Sequence, residues 1–270
     1  MKLKVMTYNI AGGRDHRGEL PATTIRPEAC AEVIAEYSPD IVGLNEIDFN
    51  HPRSGNIHLA AEVAAATGIP YESRFGRATE LGRPGKRGSY GNAFLSKHVI
   101  ISSEALQVPD PEDKSEPTYY ETRGIFRNIV LIEGREIEVL VTHFGLAKSE
   151  RAETVKMLTK FIKERTRPII IMGDFNVWGG SVNPEHDRID EIKGLYELLT
   201  DTFSVYPDQE ATTFPSRFDM ANLSEKELNG GKGIRIDYIF VSDEFKVEKA
   251  VIPQSKASDH LPYYAELTLD

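Results

Sequence analysis

Apolar and polar positions follow two rhythms along this chain of 270 residues. Short apolar or alternating runs predict strands over residues 3–9, 41–44, 93–95, 125–132, 137–142, 169–172, 235–241 and 263–269. The pair 125–132 and 137–142 is joined by Glu133-Gly134-Arg135, short enough for a hairpin. Helical spacing takes over elsewhere. Ala29, Val33, Ile34 and Tyr37 predict a helix over 26–37, which Pro39 stops. An Ala-rich helix over 58–67 is closed by Gly68, and 150–165 is amphipathic, with Val155, Leu158, Phe161 and Ile162 on one side. Hairpins mixed with crossover helices predict mixed sheets covered by helices.

Composition narrows the picture. No linker rich in Pro, Gly or Ser and no repeat divides the chain, and the residues that could carry chemistry are spread from Asn9 to His260. One domain spanning 1–270 is expected. The only cysteine, Cys30, cannot form an internal disulfide, which suits a reducing compartment. The first strand begins almost at once, without an apolar signal core, and no run is long enough to span a bilayer. A cytoplasmic protein without an obligate protein partner is expected. The net charge of −10 disfavours a nucleic-acid partner, since a grip on phosphates needs a basic face. One local exception is Arg74, Arg77, Arg83, Lys86 and Arg87, around Pro84. They read either as a solvated loop or as a mobile rim that attracts an anion.

Candidate chemistry sits at strand ends. Gly173-Asp174-Phe175-Asn176 closes the apolar run Ile169-Ile170-Ile171-Met172, and the strand period of two puts Asp174 and Asn176 on one face. Asn9, Glu46 and His143 end other strands, and Asp259-His260 precede the last one. Asp237, beside Ile236 and Tyr238-Ile239-Phe240, would be a costly buried charge unless a cation or donor neutralises it. The oxygen donors are hard, and no thiolate cluster competes. They point to Mg²⁺ or Mn²⁺. Taken singly, each residue also has an ordinary structural reading, as a turn former, a cap or a satisfied imidazole.

In order, Thr7-Tyr8-Asn9, Leu44-Asn45-Glu46, Tyr90-Gly91-Asn92-Ala93, Thr142-His143, Gly173-Asp174-Phe175-Asn176, Arg235-Ile236-Asp237-Tyr238 and Ser258-Asp259-His260 resemble the endonuclease/exonuclease/phosphatase (DNase I-like) superfamily. The resemblance covers almost the whole chain. It implies an α+β fold, a four-layer α/β/β/α sandwich of two packed mixed sheets flanked by helices, and metal-dependent hydrolysis of a phosphoester.

It also implies roles. Glu46 would bind the principal metal, with Asn9 beside it as ligand or positioning group. Asp174 would orient or deprotonate the attacking water, and Asn176 would hold that water or the phosphate. His260 would face the scissile phosphate, oriented by Asp259, and His143 would be a second phosphate-facing histidine, oriented by Asn92. Asp237 would support one histidine or approach a second metal. Arg123 and Tyr90 match positions that touch phosphate. The chain departs from the family pattern at Asn45, where Gln is usual; the shorter amide is expected to reach less far. Trp178, the single tryptophan, either lines the cleft or packs beneath the polar segment that runs on to Arg188. The favoured substrate is a small-molecule or lipid-derived phosphoester. A nuclease is the alternative, and a phosphate-binding module without activity a third.

Overall fold

The computed structural model describes residues 1–179, 187–205, 211–217 and 232–269. From the N-terminus, β1 (Lys2–Asn9), α1 (Pro27–Tyr37), β2 (Ile41–Phe49) and α2 (Leu59–Ala66) lead to a long hairpin, β3 (Glu72–Arg83) and β4 (Lys86–Ser96). Next come β5 (Val99–Gln107), β6 (Gly124–Ile132), β7 (Arg135–His143), α3 (Lys148–Glu164), β8 (Ile169–Asp174) and β9 (Thr200–Asp201). The last strands are β10 (Asp237–Val241), β11 (Phe245–Val251) and β12 (Tyr263–Leu269).

These strands form two six-stranded sheets, ordered β11-β12-β1-β2-β4-β3 and β5-β6-β7-β8-β10-β9. Only β1 with β2 and β7 with β8 run parallel; each of those pairs is bridged by a helix. The first sheet therefore combines both ends of the chain, and the second is its middle.

Side-chain alternation builds the layers. In β8, Ile170 and Met172 join Val5, Ile41, Val139 and Ile239 in the core between the sheets. Ile169 and Ile171 point the other way, onto Leu158 and Ile162 of α3. Met6, Val42 and Leu44 face Ile34 of α1 and Val63 of α2. The result is the expected α/β/β/α sandwich. Each fully buried aliphatic side chain contributes about 1.5–3 kcal/mol. The sheets approach closely at Gly43, where an added Cβ would lie 2.7 Å from Met172 Sδ.

The strands that periodicity does not predict are mainly edges. β3, β5 and β11 are largely exposed, so their sequences lack an apolar rhythm. The basic stretch around Pro84 is accordingly not a loop but the β3–β4 hairpin. Arg74 pairs with Glu72, and Arg77 Nη1 donates to Glu80 Oε1 at 3.1 Å. Of the polar segment after Trp178, residues 180–186 lie outside the described residues. Among the described residues, no helix is long and apolar enough to cross a membrane.

Candidate active site

Strand register assembles the site. β7 and β8 align His143 with Asp174, and β8 and β10 align Asp174 with Asp237, so three residues form one row across the second sheet. In the first sheet, Asn9 of β1 stands beside Asn45 of β2. A bulge then sets Asn45 and Glu46 together against the single Asn92 of β4, with Glu46 at φ +59°. The bulge turns Asn45 inward and sends Glu46 to the cavity.

Asn45 locks the two rows together. Its amide nitrogen donates to Asn92 Oδ1 at 2.8 Å and to the Thr142 carbonyl at 2.9 Å, and its oxygen accepts the Asp174 backbone N–H at 3.0 Å. These three bonds tie Asn45 to β4, β7 and β8. The role expected of Asn92 is corrected. It is buried, and its nitrogen donates to the carbonyls of Gly124 and Val141, so it braces the sheets instead of facing substrate or His143.

Asn9 accepts the Ala11 N–H on its oxygen at 3.1 Å, which turns its nitrogen toward Asp174 Oδ2 at 3.1 Å and Glu46 Oε1 at 3.3 Å. It therefore positions two carboxylates with its N–H groups, the second of the two roles expected of it. Glu46 is half-buried, and its hard oxygens fit a divalent cation. Asp237 Oδ1 is buried without a hydrogen-bond partner, and ligand atoms of Asp174, Asp237 and His260 lie within 4.8 Å of one another. A divalent cation suits this acidic floor, and Glu46 is the donor that would hold it. Within this cluster the two carboxylates favour a protonated His260.

That charge has a clear origin. His260 Nδ1–H donates to Asp237 Oδ2 at 2.9 Å, and its Nε2 lies 3.7 Å from Asp174 Oδ2. Burial opposes protonation, but the carboxylates of Asp237 and Asp174 outweigh it and raise the pKa to about 10. Asp237, the buried carboxylate that needed a partner, thus has it in His260. Asp259 does not orient the ring; it accepts from Ser258 Oγ at 3.2 Å and lines the cavity.

His143 is the opposite case. Burial first, then Arg123 and His260, hold its pKa well below the ordinary value. Arg123 Nη1 donates to its Nδ1 at 3.3 Å, which leaves Nε2–H facing Asp174 Oδ2 at 3.4 Å. Asp174 itself is raised to about 7, chiefly by burial and despite His260. Asn176, at φ +49°, donates its backbone N–H to Asp174 Oδ1 at 2.9 Å and its side chain to the Phe144 carbonyl at 2.9 Å.

Above this floor lies a cavity of about 550 Å³. Glu46, His143, Asp174, Asn176, Asp259 and His260 all line it, as do Tyr90 and Arg123. Arg123 Nη1 also donates to Glu121 at 2.9 Å, with the Tyr90 hydroxyl 3.5 Å away. Sequence reasoning missed Arg53, whose Nε and Nη2 grip the buried Asp48 at 2.7 and 2.8 Å, and the apolar walls Leu146, Phe214 and Ile234. A buried Asp five residues before an Arg was the signal for the first. Nothing marked the walls. Trp178 lines the cavity, with the Arg188 guanidinium 4.2 Å from its ring centre.

The profile of the Endonuclease/Exonuclease/phosphatase family matches residues 6–260. The chain belongs to this family. The family acts on phosphoesters and comprises hydrolases, both phosphatases and nucleases. Exodeoxyribonuclease III of Haemophilus influenzae is 24% identical over 98% of this chain and 99% of its own. The uncharacterized protein YbhP of Escherichia coli is 27% identical over 67% of this chain and 64% of its own, so this chain spans somewhat under two thirds of that relative. Among solved structures, an endonuclease/exonuclease/phosphatase of Beutenbergia cavernae superposes with a TM-score of 0.74, at 22% identity, over 99% of this chain and 72% of that one. A mannosyl-6-phosphatase of Bacteroides thetaiotaomicron gives 0.69, at 21% identity, over 99% and 100%. Both share the fold.

Proposed function

We propose that the protein is a divalent-metal-dependent phosphoesterase that hydrolyses a small-molecule or lipid-derived phosphoester by in-line attack of water. The observation that carries this reading is the geometry of the cavity floor: His260, backed by the Asp237 carboxylate, and His143, backed by the Arg123 guanidinium, flank one Asp174 carboxylate at 3.7 and 3.4 Å. Asp174, raised to about 7, aligns the water and accepts its proton near neutral pH. His260 faces the non-bridging oxygens or the leaving oxygen, where negative charge grows, and can deliver a proton there. His143 contributes a neutral N–H to the same anion, and Asn176 helps to hold the water. Mg²⁺ or Mn²⁺ bound by Glu46 would neutralise phosphate charge.

A small substrate is favoured by the net charge of −10 and by the apolar walls of the cavity. The nuclease reading is supported by the exposed Arg83, Lys86 and Arg87 at the tip of the β3–β4 hairpin, whose Leu81 lines the cavity. A panel of bis-p-nitrophenyl phosphate, p-nitrophenyl phosphate, sphingomyelin, plasmid DNA and single-stranded RNA separates the two. Turnover of a small ester or of the lipid with Mg²⁺ or Mn²⁺, abolished by EDTA and restored by the metal, is expected. Turnover indifferent to EDTA overturns metal dependence, and cleavage of nucleic acid alone selects the nuclease.

A further inference from the structure

Three arginines line the cavity, and two are already committed. Arg53 is gripped by Asp48, and Arg123 by Glu121 and His143. Arg188 differs. It is half-buried, its guanidinium lies on the Trp178 ring at 4.2 Å, and its backbone N–H donates to the Trp178 carbonyl at 2.8 Å. The carboxylates whose charge it feels, Glu191 and Glu116, are engaged elsewhere. Glu191 is held by Arg151 Nε and Nη2 at 2.6 and 3.1 Å. Glu116 accepts from the backbone N–H groups of Lys148 and Ser149 at 2.7 and 2.9 Å. Among the described residues, no carboxylate pairs with Arg188.

A half-buried cation that no carboxylate among the described residues pairs with is costly, and this one opens onto a cavity in a protein of net charge −10. Stacking on an indole fixes the plane of the guanidinium and leaves its N–H edge for an oxyanion, the geometry in which arginine grips phosphate with two parallel bonds. We propose that Arg188, presented on Trp178, binds a second anionic group of the substrate. The substrate class is then a small phosphoester that carries another phosphate or a carboxylate. This inference rests on the phosphoesterase reading above.

Trp178 is the only tryptophan among eleven tyrosines, so emission excited at about 295 nm, beyond tyrosine absorption, reports on this indole. The protein, at fixed free Mg²⁺, is titrated with propane-1,3-diol monophosphate, with the corresponding bisphosphate, and with the dinucleotide pTpT. The bisphosphate is expected to bind about tenfold tighter than the monophosphate and to change Trp178 emission. Arg188→Gln should bring that ratio close to one, and Arg188→Lys should keep part of it. A wild-type ratio near one, or an unchanged ratio in a folded Arg188→Gln protein, overturns the proposal. Tighter binding of pTpT than of the bisphosphate, with the same dependence on Arg188, overturns the small-molecule source of the second anion. If no phosphate binds the wild-type protein at all, the phosphoesterase reading itself fails. Equal binding of mono- and bisphosphate removes only the role of Arg188.

Discussion

His260 and His143 approach the same oxygen of Asp174, at 3.7 and 3.4 Å, yet hold opposite charge states. The difference comes from what stands behind each ring: a carboxylate behind His260, a guanidinium behind His143. Removal of the cationic ring, His260→Ala, should lower kcat by about 10²-fold or more while leaving the unfolding transition cooperative, as steady-state kinetics and circular dichroism would record. Asp237→Asn probes the source of the charge. His260 is raised from 6.5 to about 10, so it contributes stability that is full below pH 6.5 and lost as pH rises through about 10. Without the carboxylate, burial pushes the imidazole down and that dependence should vanish from denaturant titrations in EDTA over this window. The descending limb of the pH–kcat profile should move to lower pH in the same variant. The sequence made Asp237 conspicuous, because an acid inside an apolar strand needs a partner. It did not say which histidine answers, since strand pairing and not chain proximity decides, and Asp259, the neighbour along the chain, was the misleading candidate.

Elements position these groups through two local irregularities. The β2 bulge aims Glu46, and Gly173 lets β8 end against β7. At Gly173, φ is +147°, and a Cβ would lie 1.8 Å from the Thr142 carbonyl oxygen of the neighbouring strand. Only glycine fits there. Gly173→Ala should therefore cost about 1–3 kcal/mol in urea unfolding and displace Asp174, which lowers turnover beyond what the stability loss explains. Apolar runs made β1, β6, β7, β8 and β12 legible, and amphipathic spacing did so for α3. The bulge was hidden, because Leu44-Asn45-Glu46-Ile47 reads equally as a strand end or as a turn. The edge strands β3, β5 and β11 were hidden because solvent on one side and a free edge remove the alternation that periodicity needs. Arg53 and Arg188 could not be separated from ordinary surface arginines until Asp48 beside the one and the Trp178 ring under the other were seen.

At the scale of the molecule, a chain of net charge −10 encloses a cavity lined by three arginines. A small anionic ester needs few released counterions, so kcat/KM for bis-p-nitrophenyl phosphate should change by less than about threefold between 50 and 200 mM salt. A change of about 10³-fold in the cleavage of plasmid DNA over the same range would instead mark an extended phosphate contact. The ordered motifs carried the fold almost completely, because Asn9, His143 and Asp174 end strands, Asp237 begins one, and the two sheets bring these positions together. They carried little about the walls, which come from Leu146, Phe214 and Ile234 on separate segments. The sharing of the first sheet between the two ends of the chain has a bearing on biosynthesis. During translation β1 waits for β12, and Asp174 waits for Asp237 and His260. A ribosome that has reached residue 230 has made Asp174 but neither Asp237 nor His260, so the row across the second sheet closes only after β10 and the segment before β12 have been made.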